Sequence, residues 1–349
     1  MQRSLHLSLS LSGVAALALA NGAAISAAAQ EVGSADDLGV MSISLADVVK
    51  PTIGFQGAHQ GAGTPNTSII GGFLPLSVGD NSVWFLGALV NANFADREGD
   101  SSIINTNVAG TTVSTSTRVG YRWLNGDRSW MYGLNAGYDS RPMNTGGTDT
   151  GVNVIGTERS AFFQQVAVNA EAVSNDWNFN AYALVPTGDT EQPLNWFYQG
   201  GALSTYGLDI GYFITPEWNA SVGYYYQDGD RTKADSSGVL GRVAYEISSG
   251  LTAGVNISYD EAFETRISAD LKIRFGGAST SAQRKEVHLQ PVVNALTSTP
   301  TNRYVRVHDS FASRINPSDY PPSYEEEEID GFIDGPGYCV PIGEGENCI

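Results

Sequence analysis

The amino-acid sequence predicts an all-β fold, a transmembrane antiparallel up-and-down β-barrel of about twelve strands with a signal peptide and a mostly irregular C-terminal tail. Three observations predict this fold. Apolar and polar residues alternate along the middle of the chain, short and long connections alternate between these segments, and an export signal precedes them. Charged residues make up 16% of the chain, below the roughly 25% of an average soluble domain.

The alternation has a period of two residues, which places successive side chains on opposite faces of a strand. In the last segment, Ile267, Leu271 and Phe275 share one face and charged residues occupy the other. A membrane barrel turns the apolar face to lipid and the charges to the lumen. The predicted strands are Pro51–His59, Ser68–Val78, Ser82–Phe94, Thr112–Leu124, Ser129–Asp139, Ala161–Ser174, Asp176–Pro186, Leu203–Ile214, Glu217–Gln227, Gly238–Ser248, Leu251–Asp260 and Glu264–Phe275.

The connections between these strands alternate in length. The tight ones are Gly79–Asn81, Asn125–Arg128, Asn175, Thr215–Pro216 and Ser249–Gly250. The long, polar ones are Ala95–Thr111, Ser140–Ser160, Thr187–Ala202 and Asp228–Ser237. Short periplasmic turns and long external loops are typical of outer-membrane barrels.

Polar residues on the second face of the strands are the predicted lining of the lumen. A charge facing lipid at the middle of a bilayer costs roughly 2–4 kcal/mol, so we expect these residues to face inward. They form either a structural salt-bridge network, which we favour, or a selectivity lining for a small solute or ion. About twelve strands predict a narrow or plugged pore. The lumen-lining candidates are Arg118, Arg122, Asn135, Asp139, Glu171, Asp209, Arg242, Glu246, Asn256, Asp260, Arg266, Asp270, Lys272 and Arg274.

Aromatic residues cluster near the ends of the predicted strands. Tyr and Trp prefer the interface between lipid and water, because an apolar body carries a polar tip. Two aromatic girdles are therefore expected, whereas a soluble sandwich would scatter such residues through its core. The predicted girdle residues are Trp123, Trp130, Tyr138, Trp177, Tyr212, Trp218, Tyr226 and Tyr259.

The N-terminal segment Met1–Ala29 is predicted to be a signal peptide. Its apolar stretch, Val14–Ala20, is too short to span a bilayer as a helix, and small residues precede Gln30. Gln30–Lys50 is a predicted periplasmic leader, and the predicted barrel covers residues 51–276.

Residues 277–349 form a predicted linker and tail that is acidic and rich in proline. Within it, Lys285–Leu296 is apolar enough to lie in the lumen as a plug or linker, and Thr301–Val307 alternates and predicts a short strand. Cys339 and Cys348 are candidates for a disulfide loop in an oxidising compartment, which would be worth roughly 2–3 kcal/mol.

One part of the sequence resembles a known family. The stretch Arg118–Leu124, then Asn125-Gly126, then Trp130–Asp139, is similar to the run G-x-R-x-L … W-x-Y-G-L-N-x-x-Y-D in the β-domain of the inverse autotransporters, the intimin and invasin family. Glu264–Gly276 resembles the final strand of that domain, and Glu171 lies where the family has a strand that contains glycine and glutamate.

The resemblance implies a twelve-stranded barrel that anchors a C-terminal passenger and helps it to reach the cell surface. Family members have long passengers of tandem Ig-like or lectin-like domains, whereas only Gly276–Ile349 comes after the barrel here. We therefore predict an outer-membrane anchor that displays a short tail. The alternatives are a narrow general porin for small solutes and a secreted soluble β-sandwich that acts as a binding module.

We expect no enzymatic activity and no cofactor or metal. His59 is the one histidine near a predicted strand, and no trio of nucleophile, base and orienting group accompanies it. Asp228–Asp230 lacks the spacing of a calcium loop. The expected partners are outer-membrane lipid, the barrel-assembly machinery and small solutes in the lumen. A net charge of −18 argues against nucleic acid.

Overall fold

The computed structural model describes residues 44–97, 99–145, 159–195, 197–229, 235–248, 250–276 and 291–311. The predicted signal peptide, the leader up to residue 43, Asp230, Cys339 and Cys348 lie outside these residues. The elements are α1 (Leu45–Val48), β1 (Thr52–Ala58), β2 (Thr67–Val78), β3 (Ser82–Asn93), β4 (Val108–Ala109), β5 (Thr112–Leu124), β6 (Met131–Thr145), β7 (Arg159–Val173), β8 (Trp177–Pro186), β9 (Glu191–Pro193), β10 (Tyr198–Ala202), β11 (Ser204–Phe213), β12 (Trp218–Asp228), β13 (Ser236–Ser248), β14 (Leu251–Asp260), β15 (Glu264–Gly276), α2 (Pro291–Ala295) and β16 (Val307–Phe311).

Twelve of these strands form a closed antiparallel barrel, which confirms the predicted fold. Each strand pairs with its neighbour along the chain, and β1 closes the barrel against β15, from Thr52 opposite Gly276 to Ala58 opposite Asp270. Closure satisfies the backbone of both edge strands. The closed barrel also rules out the β-sandwich alternative.

The barrel wall is apolar outside and polar inside. Every one of the twelve strands exposes large apolar side chains, and Val222 on β12 is 68% exposed. Among the described outward positions of these strands, Asp228 at the loop end of β12 is the one charged residue. Arg118 and Arg122 point inward and are fully buried. This inverts the pattern of a soluble protein and requires lipid around the barrel.

The two rims of the barrel differ. Connections 79–81, 125–130, 174–176, 214–217 and 249–250 are short and lie on one rim, called here the short-turn rim. The opposite ends of the strands form the long-loop rim, whose described connections include 59–66, 94–111, 187–203 and 261–263. The last of these is as tight as a short turn, although it lies on the long-loop rim.

Two sequence-based boundaries need correction. The strand predicted to end at Asp139 continues to Thr145, because Arg141, Met143 and Thr145 keep facing inward while the outward face becomes polar beyond the lipid. The strand predicted over Thr301–Val307 is wrong: residues 301–306 form no ladder, and β16 begins at Val307.

The remaining elements are short. Three strands, β16, β10 and β9, form a small separate sheet at the long-loop rim. The two helices that the structure describes have four and five residues. Among the described residues, no helix is long and apolar enough to cross a membrane.

Candidate functional site: the threaded lumen

Residues 291–311, called here the threading segment, pass through the barrel from one rim to the other. Leu296 contacts residues of the short-turn rim, Asn302 bonds to the middle of β5, and β16 pairs with β10 at the long-loop rim. Since Gly276 ends β15 at the short-turn rim, the chain enters the lumen there and crosses it in order. The apolar stretch predicted to lie in the lumen, Lys285–Leu296, is described from Pro291 onward and does lie there.

An apolar cluster surrounds the threading segment at the short-turn rim. It joins three parts of the chain: the leader, the barrel wall and α2. Leu296 is completely buried in it. Burial of each such side chain stabilises the docked segment by roughly 1.5–3 kcal/mol. The members are Leu45, Val49, Phe73, Val83, Phe85, Leu124, Met131, Val292, Val293, Ala295 and Leu296.

A second apolar cluster surrounds the segment at the long-loop rim. Val305 and Val307 pack there against residues from β6, β7, the loop 94–111 and the β9–β10 hairpin. Asp96 organises that loop, because its carboxylate accepts hydrogen bonds from the backbone N–H groups of Ser102 and Val108 at 3.0 and 3.2 Å. The members are Ile103, Val108, Met143, Ala161, Phe163, Leu194, Ala202, Val305 and Val307.

Arg122 connects the barrel wall to the start of the threading segment. Its Nε and Nη2 donate to the two carboxylate oxygens of Glu171 at 2.8 and 3.1 Å. Its Nη1 donates to the backbone carbonyls of Leu296 and Ser298 at 3.1 and 2.7 Å. One guanidinium thus satisfies a buried carboxylate and holds the segment by its backbone, which sets its position independently of side-chain identity.

Gly133 leaves the space that this ion pair occupies. In the sheet register, Gly133 lies between Arg122 on β5 and Glu171 on β7. A Cβ at this position would lie 2.7 Å from Cγ of Glu171 and 3.0 Å from Cγ of Arg122. The ion pair between Arg122 and Glu171 therefore requires glycine at this position of the Trp130–Asp139 run.

Arg118 forms a second junction four residues before Arg122 on β5. It makes a bidentate pair with Asp139 at 2.7 and 2.8 Å and donates to the carbonyl of Asn302 at 3.1 Å. Asp139 also accepts from Ser116 at 2.5 Å and from Gln165 at 2.8 Å. Each oxygen of this fully buried carboxylate is thus satisfied, as a buried charge requires.

The threading segment contributes two arginines of its own. Arg303 donates to Ser116 Oγ at 2.8 Å and to the carbonyl of Gly87 at 3.1 Å. Arg306 lies over the ring of Tyr225, 4.3 Å from its centroid, and donates to Gln227 at 3.0 Å.

Arg141 and Asp309 hold the end of the segment at the long-loop rim. Arg141 donates to the carbonyls of Gly63 and Val305. The Asp309 carboxylate accepts from the backbone N–H of Asn105 at 2.9 Å and of Thr106 at 2.6 Å. Burial raises the pKa of Asp309 to about 6 against these hydrogen bonds. Burial also lowers the pKa of the neighbouring His308.

All fourteen lumen-lining candidates face inward, but they divide into groups. Arg118, Asp139, Arg122, Glu171 and Asn135 surround the threading segment. Arg242 pairs with Asp270 at 2.5 Å and with Asn256 at 2.8 Å. Asp209 accepts from Asn180 and Asn302. Lys272 and Arg274 line a cavity beside the threading segment.

Three candidates serve the rims instead of the middle of the lumen. Asp260 accepts from Tyr225 at 2.5 Å and from the backbone of Phe263 at 2.7 Å, and Arg266 donates to the Phe263 carbonyl at 2.9 Å. Glu246 accepts from the Gly250 N–H at 3.1 Å in the β13–β14 turn.

Sequence reasoning missed Ser116, Arg141, Gln165, Arg303, Arg306 and Asp309. The inward parity of Arg141 and Gln165 was available from the alternation. The three residues of the threading segment offered no reliable signal, because the alternation over Thr301–Val307 does not form a strand there.

The girdle candidates all lie on the outer wall. At the short-turn rim the rings of Trp84, Tyr121, Trp123, Tyr132, Trp130, Phe179, Trp177 and Tyr212 contact one another in sequence, with centroids 4.9–6.3 Å apart. Trp218 stacks on Tyr245 at 4.5 Å. Tyr138, Tyr226 and Tyr259 are exposed nearer the long-loop rim. Strand β12 carries both Trp218 and Tyr226, roughly 26 Å apart along an extended strand, which suits an apolar band of roughly 25 Å.

The cavity beside the threading segment has a volume of about 580 Å³ and is lined mainly by β1, β8, β11–β15 and the connection 59–66. His59, the one histidine near a predicted strand, lines this cavity and bonds to Asn66 Oδ1 at 2.7 Å through its Nδ1. Among the described residues, no group of three or more His, Cys, Asp or Glu side chains is placed to hold a metal ion.

No family model matches the chain, and no curated protein matches it. Among solved structures, a membrane protein studied for in-meso crystallization is 10% identical over 75% of this chain and 100% of its own, with a TM-score of 0.53. The KdgM porin is 11% identical over 64% of this chain and 99% of its own, with a TM-score of 0.36. The COG4313 outer membrane channel from Pseudomonas putida F1 is 13% identical over 65% of this chain and 96% of its own, with a TM-score of 0.42.

At such identities the first likeness shows a shared fold alone, and the two lower scores support no argument. The closed twelve-stranded wall, its apolar exterior and the row of contacting aromatic residues at the short-turn rim agree with that fold. The chain is therefore a β-barrel of the outer-membrane type.

Proposed function

We propose that this protein is an outer-membrane anchor of the inverse-autotransporter kind, which passes its own C-terminal segment through the barrel and presents the residues after Phe311 outside the cell. The observation that supports the proposal is the order of the contacts. The threading segment meets Arg122, then Arg118, then Arg141 and finally β10, so it crosses the lumen once and in one direction.

The residues of the family resemblance support the same role. Arg118 and Arg122 belong to one half of the resembling run, and Gly133 and Asp139 belong to the other. In the structure these four residues build the two junctions that hold the backbone of the threading segment. A motif that served only the barrel wall would have no need to contact residues 296–302.

Surface labelling of Cys348 tests the proposal. The full chain, with Cys339→Ser, would be expressed in the outer membrane and treated with a maleimide on a polymer too large for general porins. Two control variants, each with one introduced cysteine and without Cys339 and Cys348, give the labelling expected at each rim. Asp189→Cys reports the long-loop rim, and Gly126→Cys reports the short-turn rim; both positions are exposed.

We expect Cys348 to be labelled on intact cells, as Asp189→Cys is, while Gly126→Cys is labelled only after permeabilisation. If Cys348 instead behaves like Gly126→Cys, the tail lies in the periplasm and the proposal is wrong.

A narrow porin for small solutes is the second candidate function. The cavity of about 580 Å³ beside the threading segment favours it, since a plug that filled the lumen would leave no such space. A porin requires a path open at both rims. Steady conductance of the unmodified chain in a planar bilayer would support this candidate, and its absence would reject it.

A further inference from the structure

The threading segment fills only one side of the lumen. Along β5 every inward residue from Thr112 to Leu124 is buried, and most inward residues of β6 and β7 are buried as well. On the opposite wall, inward residues such as Ser221, Arg242 and Asn256 are only partly buried. The lumen is therefore packed against β5–β7 and hollow against β11–β15.

The hollow side closes toward one rim. Near the short-turn rim, the inward side chains of Phe213, Asn219 and Thr252 are partly exposed. Near the long-loop rim, Thr205, Gln227 and Asp260 on the same strands have 0–1% exposure. The cavity thus opens to the short-turn rim and ends against the connection 59–66 of the long-loop rim, which lines it through His59, Gly61 and Thr64.

Phe263 packs directly behind that closed end, against Ala62 of the connection that lines it. The tight connection 261–263 bends inward, and the Phe263 ring is fully buried against Ala62, Leu203 and Ala262. It also contacts His308 of the threading segment at a centroid distance of 5.4 Å. Gly63, with φ of +65°, faces the ring so closely that a Cβ would lie 2.7 Å from it. The ring therefore fills the gap between the loops and the threading segment.

The hollow side collects positive charge in an acidic protein. The chain has 37 acidic and 19 basic residues, yet the cationic side chains lining the cavity outnumber the anionic ones. The cations are Arg242, Lys272, Arg274, Arg303 and Arg306. The carboxylates are Glu171, Asp209 and Asp270, of which the first is paired with Arg122 and the last with Arg242.

We propose that the hollow side is a vestibule for small anions, open to the short-turn rim and sealed at the long-loop rim by Phe263. Water and anions enter it from the periplasmic side while the threading segment stays docked. The seal lets the barrel hold its tail without becoming an open pore. The vestibule requires the threading segment to be docked in the lumen, but it does not require the residues after Phe311 to lie outside the cell. A failure of the surface-display proposal would therefore leave the vestibule proposal intact, and the reverse also holds.

Thiol reactivity tests the vestibule in the otherwise unmodified chain. Ser221→Cys and Ser114→Cys would be made in a chain with Cys339→Ser and Cys348→Ser. Both serines face inward, but Ser221 lines the cavity, whereas Ser114 is buried on the filled side. Each variant would be treated separately with an anionic methanethiosulfonate, which carries a sulfonate, and with a cationic one, which carries a trimethylammonium group. Each reaction rate would be divided by the rate of the same reagent with a free thiol in solution, which corrects for intrinsic reactivity.

We expect Ser221→Cys to react at least about tenfold faster with the anionic reagent than with the cationic one, because the local potential concentrates anions. We expect Ser114→Cys to react slowly with both. Equal rates for the two cysteines, or faster reaction of Ser221→Cys with the cationic reagent, would overturn the proposal.

Planar-bilayer recording tests the seal. We expect the unmodified chain to stay closed and Phe263→Ala to open steps whose reversal potential in a salt gradient indicates anion preference. Adding Lys272→Glu should move that potential toward cations. Phe163→Ala is the matched control, since Phe163 is also fully buried at the long-loop rim, on the filled side.

Phe263→Leu gives the same comparison in case the alanine variant folds poorly, with a smaller expected conductance. Closed recordings from both Phe263 variants, or equal opening by Phe163→Ala, would contradict a seal at Phe263. Cation preference that Lys272→Glu does not change would contradict an anion vestibule.

Discussion

Arg122 and Glu171 face each other across Gly133, where Arg122 is fully buried and the Glu171 side chain is 13% exposed at the edge of the cavity. Removing two charges from water costs several kcal/mol per ion, and a pair recovers this cost only when every donor and acceptor is used. The bidentate geometry and the two backbone carbonyls of the threading segment use three of the nitrogens of Arg122. The ion pair is therefore complete only when the segment is docked.

Arg122→Met should destabilise the protein strongly. The change leaves Glu171 charged and unpaired in the lumen, which costs about 3 kcal/mol. It also removes the donor for the Leu296 and Ser298 carbonyls. Urea unfolding in lipid vesicles, followed by tryptophan fluorescence, measures the loss.

The double variant Arg122→Met with Glu171→Met is the control, because it removes the unpaired charge. We expect it to be more stable than Arg122→Met alone. A double variant as unstable as the single one would show that the buried carboxylate is not the cause.

Asp309 and His308 are neighbours whose burial opposes their charged forms. Burial raises the pKa of Asp309 to about 6, so the docked segment binds this proton more tightly than the free segment. Docking through Asp309 therefore weakens as pH rises from about 4 to about 6. The pKa of His308 is lowered by burial, so docking through His308 weakens as pH falls below the ordinary histidine value of about 6.5.

Single substitutions should separate these two opposing pH dependences. With Asp309→Asn, acidification should release the end of the threading segment, because only the His308 effect remains. With His308→Gln, the same end should be held more firmly in acid. A spin label on Phe311→Cys, in a chain without Cys339 and Cys348, reports release as increased mobility.

A label on the exposed Asp189→Cys is the control and should show no dependence on pH in either variant. Identical pH profiles for Asp309→Asn and His308→Gln would contradict the assignment of the two effects.

At the scale of elements, α2 and β16 are too short to form alone. An isolated helix shorter than about 12 residues is marginal in water, and α2 has five. It exists because the apolar cluster of the short-turn rim buries Pro291, Val292, Val293 and Ala295. β16 likewise depends on β10 for its ladder. Both elements are products of docking, which explains why local sequence did not delimit them.

Leu296→Ala should therefore release α2 without opening the barrel. Truncating a fully buried leucine costs roughly 2–5 kcal/mol, more than a five-residue helix supplies by itself. Hydrogen exchange followed by mass spectrometry should show faster exchange over residues 291–298 and unchanged exchange in β11–β15.

Thr299→Ala, at a partly buried position of the same segment, should leave the exchange of residues 291–298 near that of the unmodified chain. Slow exchange in the Leu296→Ala variant would show that α2 does not depend on this cluster.

At the scale of the whole molecule, stability depends on a wall whose two faces meet different solvents. Val222 and Ser221 are adjacent on β12, and they face lipid and cavity respectively. Val222→Lys places a charge in the apolar band and should cost roughly 2–4 kcal/mol. Ser221→Lys places the same charge in a wet vestibule and should cost much less. Urea unfolding in lipid vesicles compares the two, and equal losses would contradict a lipid-facing Val222.

The alternation in the sequence is sufficient to predict the barrel, because a period of two residues assigns every strand residue to one face and the inward charges exclude lipid from that face. It therefore predicted the inward position of Arg118, Arg122, Asp139 and Glu171. It did not predict that these residues bind the backbone of residues 296–302, since backbone carbonyls leave no mark in a sequence.

The position of the threading segment and the hollow side of the lumen, in contrast, follow from contacts between distant parts of the chain. Arg303 and Asp309 contact residues that lie more than 150 positions away in the sequence. Phe263 contacts residues of other loops, which have no periodicity. Such contacts depend on closure of the barrel, which brings both rims and the returning chain into one enclosed space. Local alternation fixes the face of a residue, but closure fixes its partner.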